Sequence, residues 1–211
     1  AGCTVVNCVP TMFLAMLSKE NFSPARLKTL RIGVIAGAGY SVEDFLYVQN
    51  TIGSHFTLMS SLGQTECTAG LTVCNIDDPI EIKSTTVGHF MNHVEGKIAD
   101  MNTGAPLPTG ETGEICVRGY LTMQRYYGDA AETAKTLDAD GWVHTGDLGA
   151  MDADGNITLK GRCKELIIRG GENISPLEIE QALAANPAVA LCKVIGVPDR
   201  HFGEEVCACI I

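Results

Sequence analysis

Apolar positions change their rhythm twice along the chain, and each change marks a new segment. Through residues 1–86, short apolar runs alternate with amphipathic stretches. Residues 4–9 read as a buried strand and residues 11–17 as a helix opened by Pro10-Thr11. Ser23-Pro24 supplies a second helix start, a capping hydroxyl followed by a ring already at helical φ. Residues 31–36 form the next strand, ending in Gly37-Ala38-Gly39. Ser41 then caps a helix whose Val42, Phe45, Leu46 and Ile52 recur at helical spacing. A third strand, residues 56–60, runs into Leu62-Gly63-Gln64-Thr65-Glu66. This order predicts a parallel sheet flanked by helices.

Residues 87–160 have a different texture, short strands separated by Asn102-Thr103-Gly104, Pro108-Thr109-Gly110, Asp140-Gly141 and Asp154-Gly155. One brief helix over residues 129–136 interrupts, with a capping box of Asp129 and Glu132. A small β-barrel or sandwich is expected. Past Gly161-Arg162 comes a strand or hairpin over residues 165–169, then Gly170-Gly171 and a helix. That helix has Ser175 as cap, Pro176 at its first position and Glu178 closing the box. Ile179, Ala182 and Leu183 form its apolar stripe, and Asn186-Pro187 ends it. Strands over residues 189–197 and 206–211 follow, so an α+β domain begins in residues 165–211. The chain starts without Met and stops on an apolar run, and both ends are expected to be cuts.

Composition narrows the function. With 211 residues, 45% hydrophobic, the chain can build a substantial core. A formal charge of −10 argues against nucleic-acid or anionic-membrane binding, which needs clustered Lys and Arg. A polyanionic ligand would then need local donors, a metal ion or a helix N-terminus. The nine cysteines are odd in number and contain no CxxC pair. Cys116, Cys192 and Cys207 sit in apolar runs, and reduced structural thiols in a cytoplasmic protein are expected rather than a disulfide framework. No apolar stretch approaches the roughly 20 residues of a transmembrane segment. No basic region precedes the first apolar run, so no signal peptide is expected.

Several segments offer chemistry. Gly37-Ala38-Gly39 lies between a strand and a capped helix, but it is not GxGxxG, and no GxxxxGK[ST] occurs. Alone it is more often a plain strand-to-helix turn. Leu62 to Glu66 also follows a strand's end; Thr65 beside Glu66 suits a phosphate with its Mg²⁺, or simply a polar loop. Asp152-x-Asp154-Gly155-Asn156 lacks the EF-hand's glycine and glutamate and reads as a hairpin turn. The five histidines show no HExxH motif, so zinc is not expected, and residues 111–114 read as a solvated turn.

Taken in order, these segments carry more than each does singly. Gly37-Ala38, Leu62 to Glu66, Gly141-Trp142-Val143-His144-Thr145-Gly146-Asp147, and Gly161-Arg162-Cys163-Lys164-Glu165 through Gly170-Gly171-Glu172-Asn173-Ile174-Ser175-Pro176 follow one another along the chain. In this the sequence resembles the adenylate-forming superfamily of acyl-CoA synthetases, luciferases and peptide-synthetase adenylation domains. Arg125-Tyr126-Tyr127-Gly128-Asp129 and the Gly-Gly-Glu-Asn-Ile-Ser-Pro wording are most similar to fatty and other carboxylic acyl-CoA ligases.

The resemblance implies an α/β fold plus a β-barrel: the C-terminal part of the large domain, then the truncated start of the small α+β domain. The divisions are residues 1–86, 87–160, a hinge at 161–164, and 165–211. It implies adenylation of a carboxylic acid, a fatty acid first of all, with ATP and Mg²⁺, followed by transfer to CoA. Gly37 and Ala38 would line adenine, with Leu62 and Gly63 alongside. Thr65 would hold a phosphate and Glu66 the metal. Asp147 would accept from the ribose hydroxyls, and Arg162 would reach the ribose-phosphate side. Lys164 would be the hinge, and Gly170-Gly171 would pass the thiol tunnel. Leu62 stands where the family usually stacks an aromatic ring on adenine, weakening that contact by about 1 kcal/mol. The family's phosphate loop is expected upstream of Ala1 and its catalytic lysine beyond Ile211, so residues 1–211 alone are expected to be inactive. Two other readings remain open: an enzyme loading a carrier protein, and a non-catalytic nucleotide-binding module.

Overall fold

The computed structural model describes residues 2–211, which fold into three sheets. The first holds β1 (Val5–Cys8), β2 (Ile32–Ile35), β3 (Thr57–Leu62), β4 (Thr72–Val73) and β5 (His89–Phe90) in that order. β1, β2 and β3 are parallel; β4 and β5 add antiparallel. Helices α1 (Pro10–Leu17) and α2 (Val42–Ile52) connect the parallel strands, and α3 (Ile80–Thr85) precedes β5. Phe13, Phe45, Val48 and Ile52 from the helices pack with Ile35 and Leu58 from the strands to form the first core.

Local signals decided α2. Asp44 N–H donates to Ser41 Oγ (3.0 Å), and Ser41 N–H returns the bond to Asp44 Oδ2 (3.4 Å). Such a cap contributes about 1 kcal/mol. Elsewhere tertiary context overrode the pattern. β1 is the sheet's edge rather than a buried strand, and its residues alternate between exposed and half-buried. Ser23-Pro24 opens only a single 3-10 turn, Pro24–Leu27, with no capping bond from the serine.

The second sheet is a meander of β6 (Val94–Ala99), β7 (Gly113–Gly119), β8 (Val143–Met151) and β9 (Ile157–Arg162), with α4 (Ala130–Thr136) before β8. The expected barrel is corrected here to an open sheet. Closure requires the first and last strands to pair, and β6 and β9 remain the two edges. Ile98, Ile115, Val117, Val143 and Ile157 turn one face inward against Cys67, Leu71 and Val87, joining this sheet to the first. The α4 capping box is half made: Glu132 N–H donates to Asp129 Oδ1 (2.9 Å), but the Glu132 carboxylate turns to Lys135 Nζ (2.9 Å).

The third sheet runs β11 (Glu172–Ile174), β10 (Ile167–Arg169), β13 (Gly203–Ile210), β12 (Cys192–Asp199). Gly170 (φ 59°) and Gly171 (φ 92°) make the two-residue turn between β10 and β11, which needs positive φ at both positions. Ser175 does not cap α5 (Pro176–Ala184). Its hydroxyl donates to the Lys160 carbonyl instead, and Glu178 Oε1 accepts from Lys160 Nζ (3.1 Å), tying α5 to β9. All nine cysteines are free, and among the described residues no helix is long and apolar enough to cross a membrane.

Candidate active site

Asp147 and Arg162 face each other across β8 and β9. Arg162 Nε lies 3.0 Å from Asp147 Oδ1; the Asp147 side chain is 6% exposed and that of Arg162 59%. Asp147 Oδ2 is buried with no hydrogen-bond partner. Burial pushes this carboxyl above its ordinary pKa, and the Arg162 guanidinium partly opposes the rise. An unpaired buried carboxylate oxygen is costly unless a donor meets it. The arrangement is therefore an acceptor poised for hydroxyl or amide donors.

Thr65 and Glu66 lie in a 3-10 turn, Thr65–Cys67, just past β3. The turn folds tightly back: a Cβ on Gly63 would stand 1.7 Å from the Ala69 carbonyl oxygen, so only glycine fits. Thr65 is exposed. Glu66 is half-buried, and its Oε1 accepts from the Tyr126 hydroxyl (2.7 Å) while its carbonyl accepts from Met123 N–H (2.7 Å). Thr68 Oγ1 donates to the Leu121 carbonyl (2.7 Å). These three bonds stitch the segment before α4 onto the Thr65–Cys67 turn. The Glu66 acceptor is the main reason the Tyr126 hydroxyl is pushed above its usual pKa.

Gly37 and Ala38 are exposed just past β2. β2 and β3 are adjacent and parallel, with Ile35 opposite Ser60. Both loops thus leave the carboxyl ends of adjacent parallel strands, where open α/β sheets bind ligands. Beneath them Tyr40 and Ser60 share a hydroxyl bond, and Ser60 donates to the Lys83 carbonyl. Burial pushes the Tyr40 hydroxyl up to about 12. That chain pins the end of β3 to α3.

The remaining predicted residues fall elsewhere. Lys164 is exposed in the 3-10 turn Cys163–Glu165, directly after Arg162 and before β10. Gly170 and Gly171 sit at the tip of the β10–β11 hairpin, where Gly170 N–H donates to the Phe202 carbonyl (2.9 Å) within the third sheet. The structure joins Asp147 to Arg162 and places the Gly37 and Leu62 loops at the ends of adjacent strands, but it does not bond the glycine hairpin to either.

Two residues were missed by sequence reasoning. Tyr126 is one; its contact with Glu66 spans 60 positions and leaves no local signal. Glu114 is corrected from a solvated turn to a residue of β7 whose side chain is only 15% exposed. It accepts from His144 Nδ1 (2.7 Å) and from Gly146 N–H (3.0 Å). Glu114, Cys116 and His144 converge within 4.8 Å, and burial pushes the Cys116 thiol up to about 12.

A parallel sheet with two loops at its strand ends, backed by a sheet carrying a buried carboxylate with a free oxygen, defines a ligand-binding α/β protein. Residues 1–127 match the family described as "AMP-binding enzyme", and residues 178–211 match "AMP-binding enzyme C-terminal domain". The chain belongs to the AMP-binding enzyme family. It is 42% identical over 208 residues to the putative acyl-CoA synthetase YngI of Bacillus subtilis, covering 99% of this chain and 38% of that protein. It is 39% identical over 209 residues to the mitochondrial medium-chain acyl-CoA ligase ACSF2 of Danio rerio, covering 99% and 34%. Among solved structures, ATP-bound MatB from Rhodopseudomonas palustris superposes with a TM-score of 0.89 at 31% identity, covering 99% of this chain and 40% of that one. The chain thus spans little more than a third of the length of these curated relatives.

Proposed function

We propose that this chain is the nucleotide-binding part of an ATP-dependent, AMP-forming acyl-CoA synthetase, acting in the cytoplasm on a medium- or long-chain fatty acid. The reading rests on one observation above the others: Asp147 keeps a buried, unpartnered carboxylate oxygen beside Arg162. Ribose hydroxyls are donors of the kind that oxygen lacks, and charge-assisted bonds to them are stronger than neutral ones. Arg162 would then serve the ribose-phosphate side while keeping Asp147 ionised.

The other residues fit the same nucleotide. The backbone of Gly37 and Ala38, with Leu62 and Gly63 alongside, offers an edge for adenine. Thr65 would donate its hydroxyl to a phosphate. Glu66 has one oxygen held by Tyr126, and its other oxygen would be available to hold Mg²⁺. Bound Mg²⁺ would offset the charge of the triphosphate. The acid's carboxylate oxygen attacks the α-phosphorus and pyrophosphate leaves with the bonding pair; the CoA sulfur then attacks the acyl carbon and AMP leaves. Lys164 would be the hinge between these steps, and Gly170-Gly171 would let the thiol approach closely. The synthetase and ligase activities named for the relatives support this chemistry, and the free cysteines suit a reducing compartment.

The test is pyrophosphate release, with and without CoA, by a polypeptide of the relatives' length that carries this chain. Fatty, aromatic and short dicarboxylic acids form the panel. Release that depends on a fatty acid, with thioester as product, supports the proposal. Release with no acid preference, or none with any acid, overturns it.

A further inference from the structure

The pairing of β7 with β8 is interrupted at the site. Glu114 stands opposite Leu148 and Cys116 opposite His144, so Thr145, Gly146 and Asp147 together face Ile115 alone. A bulge of this size leaves ladder groups without strand partners and re-aims the residues it contains. Side chains replace the missing bonds. Thr145 Oγ1 donates to the Ile115 carbonyl (2.7 Å) and accepts from Asp147 N–H (3.1 Å). Glu114 takes the rest: Oε1 accepts from Gly146 N–H (3.0 Å), and Oε2 accepts from His144 Nδ1 (2.7 Å). Gly146 has φ 71°, a left-handed conformation that lets the chain turn out of the ladder at this point.

We propose that Glu114 is a positioning residue, clamping both sides of Thr145 so that the bulge holds Asp147 beside Arg162 with its buried oxygen left unpartnered. It touches no substrate; it acts through the backbone of Gly146 and the ring of His144. Without that carboxylate, Gly146 N–H has no acceptor, and β8 can relax toward the regular pairing it now departs from. In regular pairing successive side chains alternate faces, so a slip of one residue turns Asp147 to the other face. The length of the side chain decides the clamp more than its charge does. Glutamine can still accept from Gly146 N–H and donate to an unprotonated His144 Nδ1; aspartate keeps the charge but is one methylene too short to span both.

This inference rests on the ribose-binding reading of Asp147, and the experiment separates the two. Binding of AMP and of 2′,3′-dideoxy-AMP is compared by calorimetry for the parent protein, Glu114→Ala, Glu114→Asp, Glu114→Gln and Asp147→Ala. Amide hydrogen exchange at Gly146 is read on the same proteins. Asp147→Ala should abolish the preference for AMP while leaving Gly146 protected. Glu114→Ala and Glu114→Asp should lower the preference about tenfold and expose the Gly146 amide, and Glu114→Gln should restore both. If Glu114→Ala does not fold, the contrast of aspartate with glutamine carries the test. A full preference in Glu114→Asp, or its loss in Glu114→Gln, would overturn the clamp. A full preference in Asp147→Ala would overturn the ribose reading instead, and exchange at Gly146 would still judge the clamp.

Discussion

The Tyr126 hydroxyl donates to Glu66 Oε1 at 2.7 Å, fixing one oxygen of the carboxylate and leaving the other for a further partner. Removing that donor lets the side chain rotate and costs one charge-assisted bond. Tyr126→Phe should therefore raise the Mg²⁺ concentration needed for half-maximal ATP binding by about threefold to tenfold, with little loss of stability. Titration of Mg²⁺ at fixed ATP measures this. An unchanged midpoint would mean Tyr126 does not orient Glu66 for a metal.

Asp147 combines a stability cost with a binding role. Burial raises its folded pKa, so its contribution to stability is complete below the ordinary carboxylate value of about 4 and is lost as pH rises through the raised folded value. Asp147→Asn does not titrate, and Arg162, largely exposed, rehydrates easily. The variant should gain melting temperature relative to the parent as pH rises above about 4, while nucleotide affinity falls at least about tenfold. Melting curves across pH, with AMP titrations, check both halves. A variant that melts lower than the parent at every pH, or binds equally well, contradicts this account.

Gly63 and Gly39 make a controlled pair. A Cβ at Gly63 would sit 1.7 Å from a backbone oxygen, whereas one at Gly39 meets nothing within 4 Å. Gly63→Ala should cost about 3 kcal/mol, and Gly39→Ala should change stability by about 0.5 kcal/mol or less. Urea unfolding decides it; equal costs would mean the turn after β3 yields.

Lys164 lies between β9 and β10, and Ser175 and Glu178 hold α5 against Lys160 in this arrangement. Lys164→Pro fixes φ near −65° (about the proline value) at the proposed hinge. In a polypeptide of the relatives' length, acyl-AMP formation should persist while thioester formation falls at least about tenfold. Separate assays of the two half-reactions read this. Equal losses in both would exclude a hinge role.

Residues 1–211 alone should bind AMP weakly and turn nothing over. The one Gly-Lys pair, Gly96-Lys97, is already occupied: Lys97 Nζ donates to the Gly104 carbonyl (2.9 Å) and stacks over Trp142 at 4.5 Å. A missing cationic donor at a transition state commonly costs about 10²- to 10³-fold. Acid-dependent exchange of pyrophosphate into ATP by this polypeptide would refute the expectation.

Part of what depends on neighbouring residues or on the order of segments was legible in the sequence. The Ser41 start of α2, the parallel order of β1 to β3, the Gly170-Gly171 turn and the Asp152 hairpin all follow from local bonds or spacing. The motif order also marked Asp147 and Arg162 as candidates before their contact was known. Tertiary structure decided what those groups meet. Ser175 has the right neighbours for a cap, yet its hydroxyl found the Lys160 carbonyl across an interface. Four strands patterned for a barrel stayed open because closure is a pairing between distant edges. Tyr126 reached Glu66, and Glu114 reached Gly146, only because packing brought segments distant in sequence together. Spacing along the chain sets which bonds a residue can make within one turn; which distant partner satisfies a side chain is settled by packing, once the whole chain has closed around it.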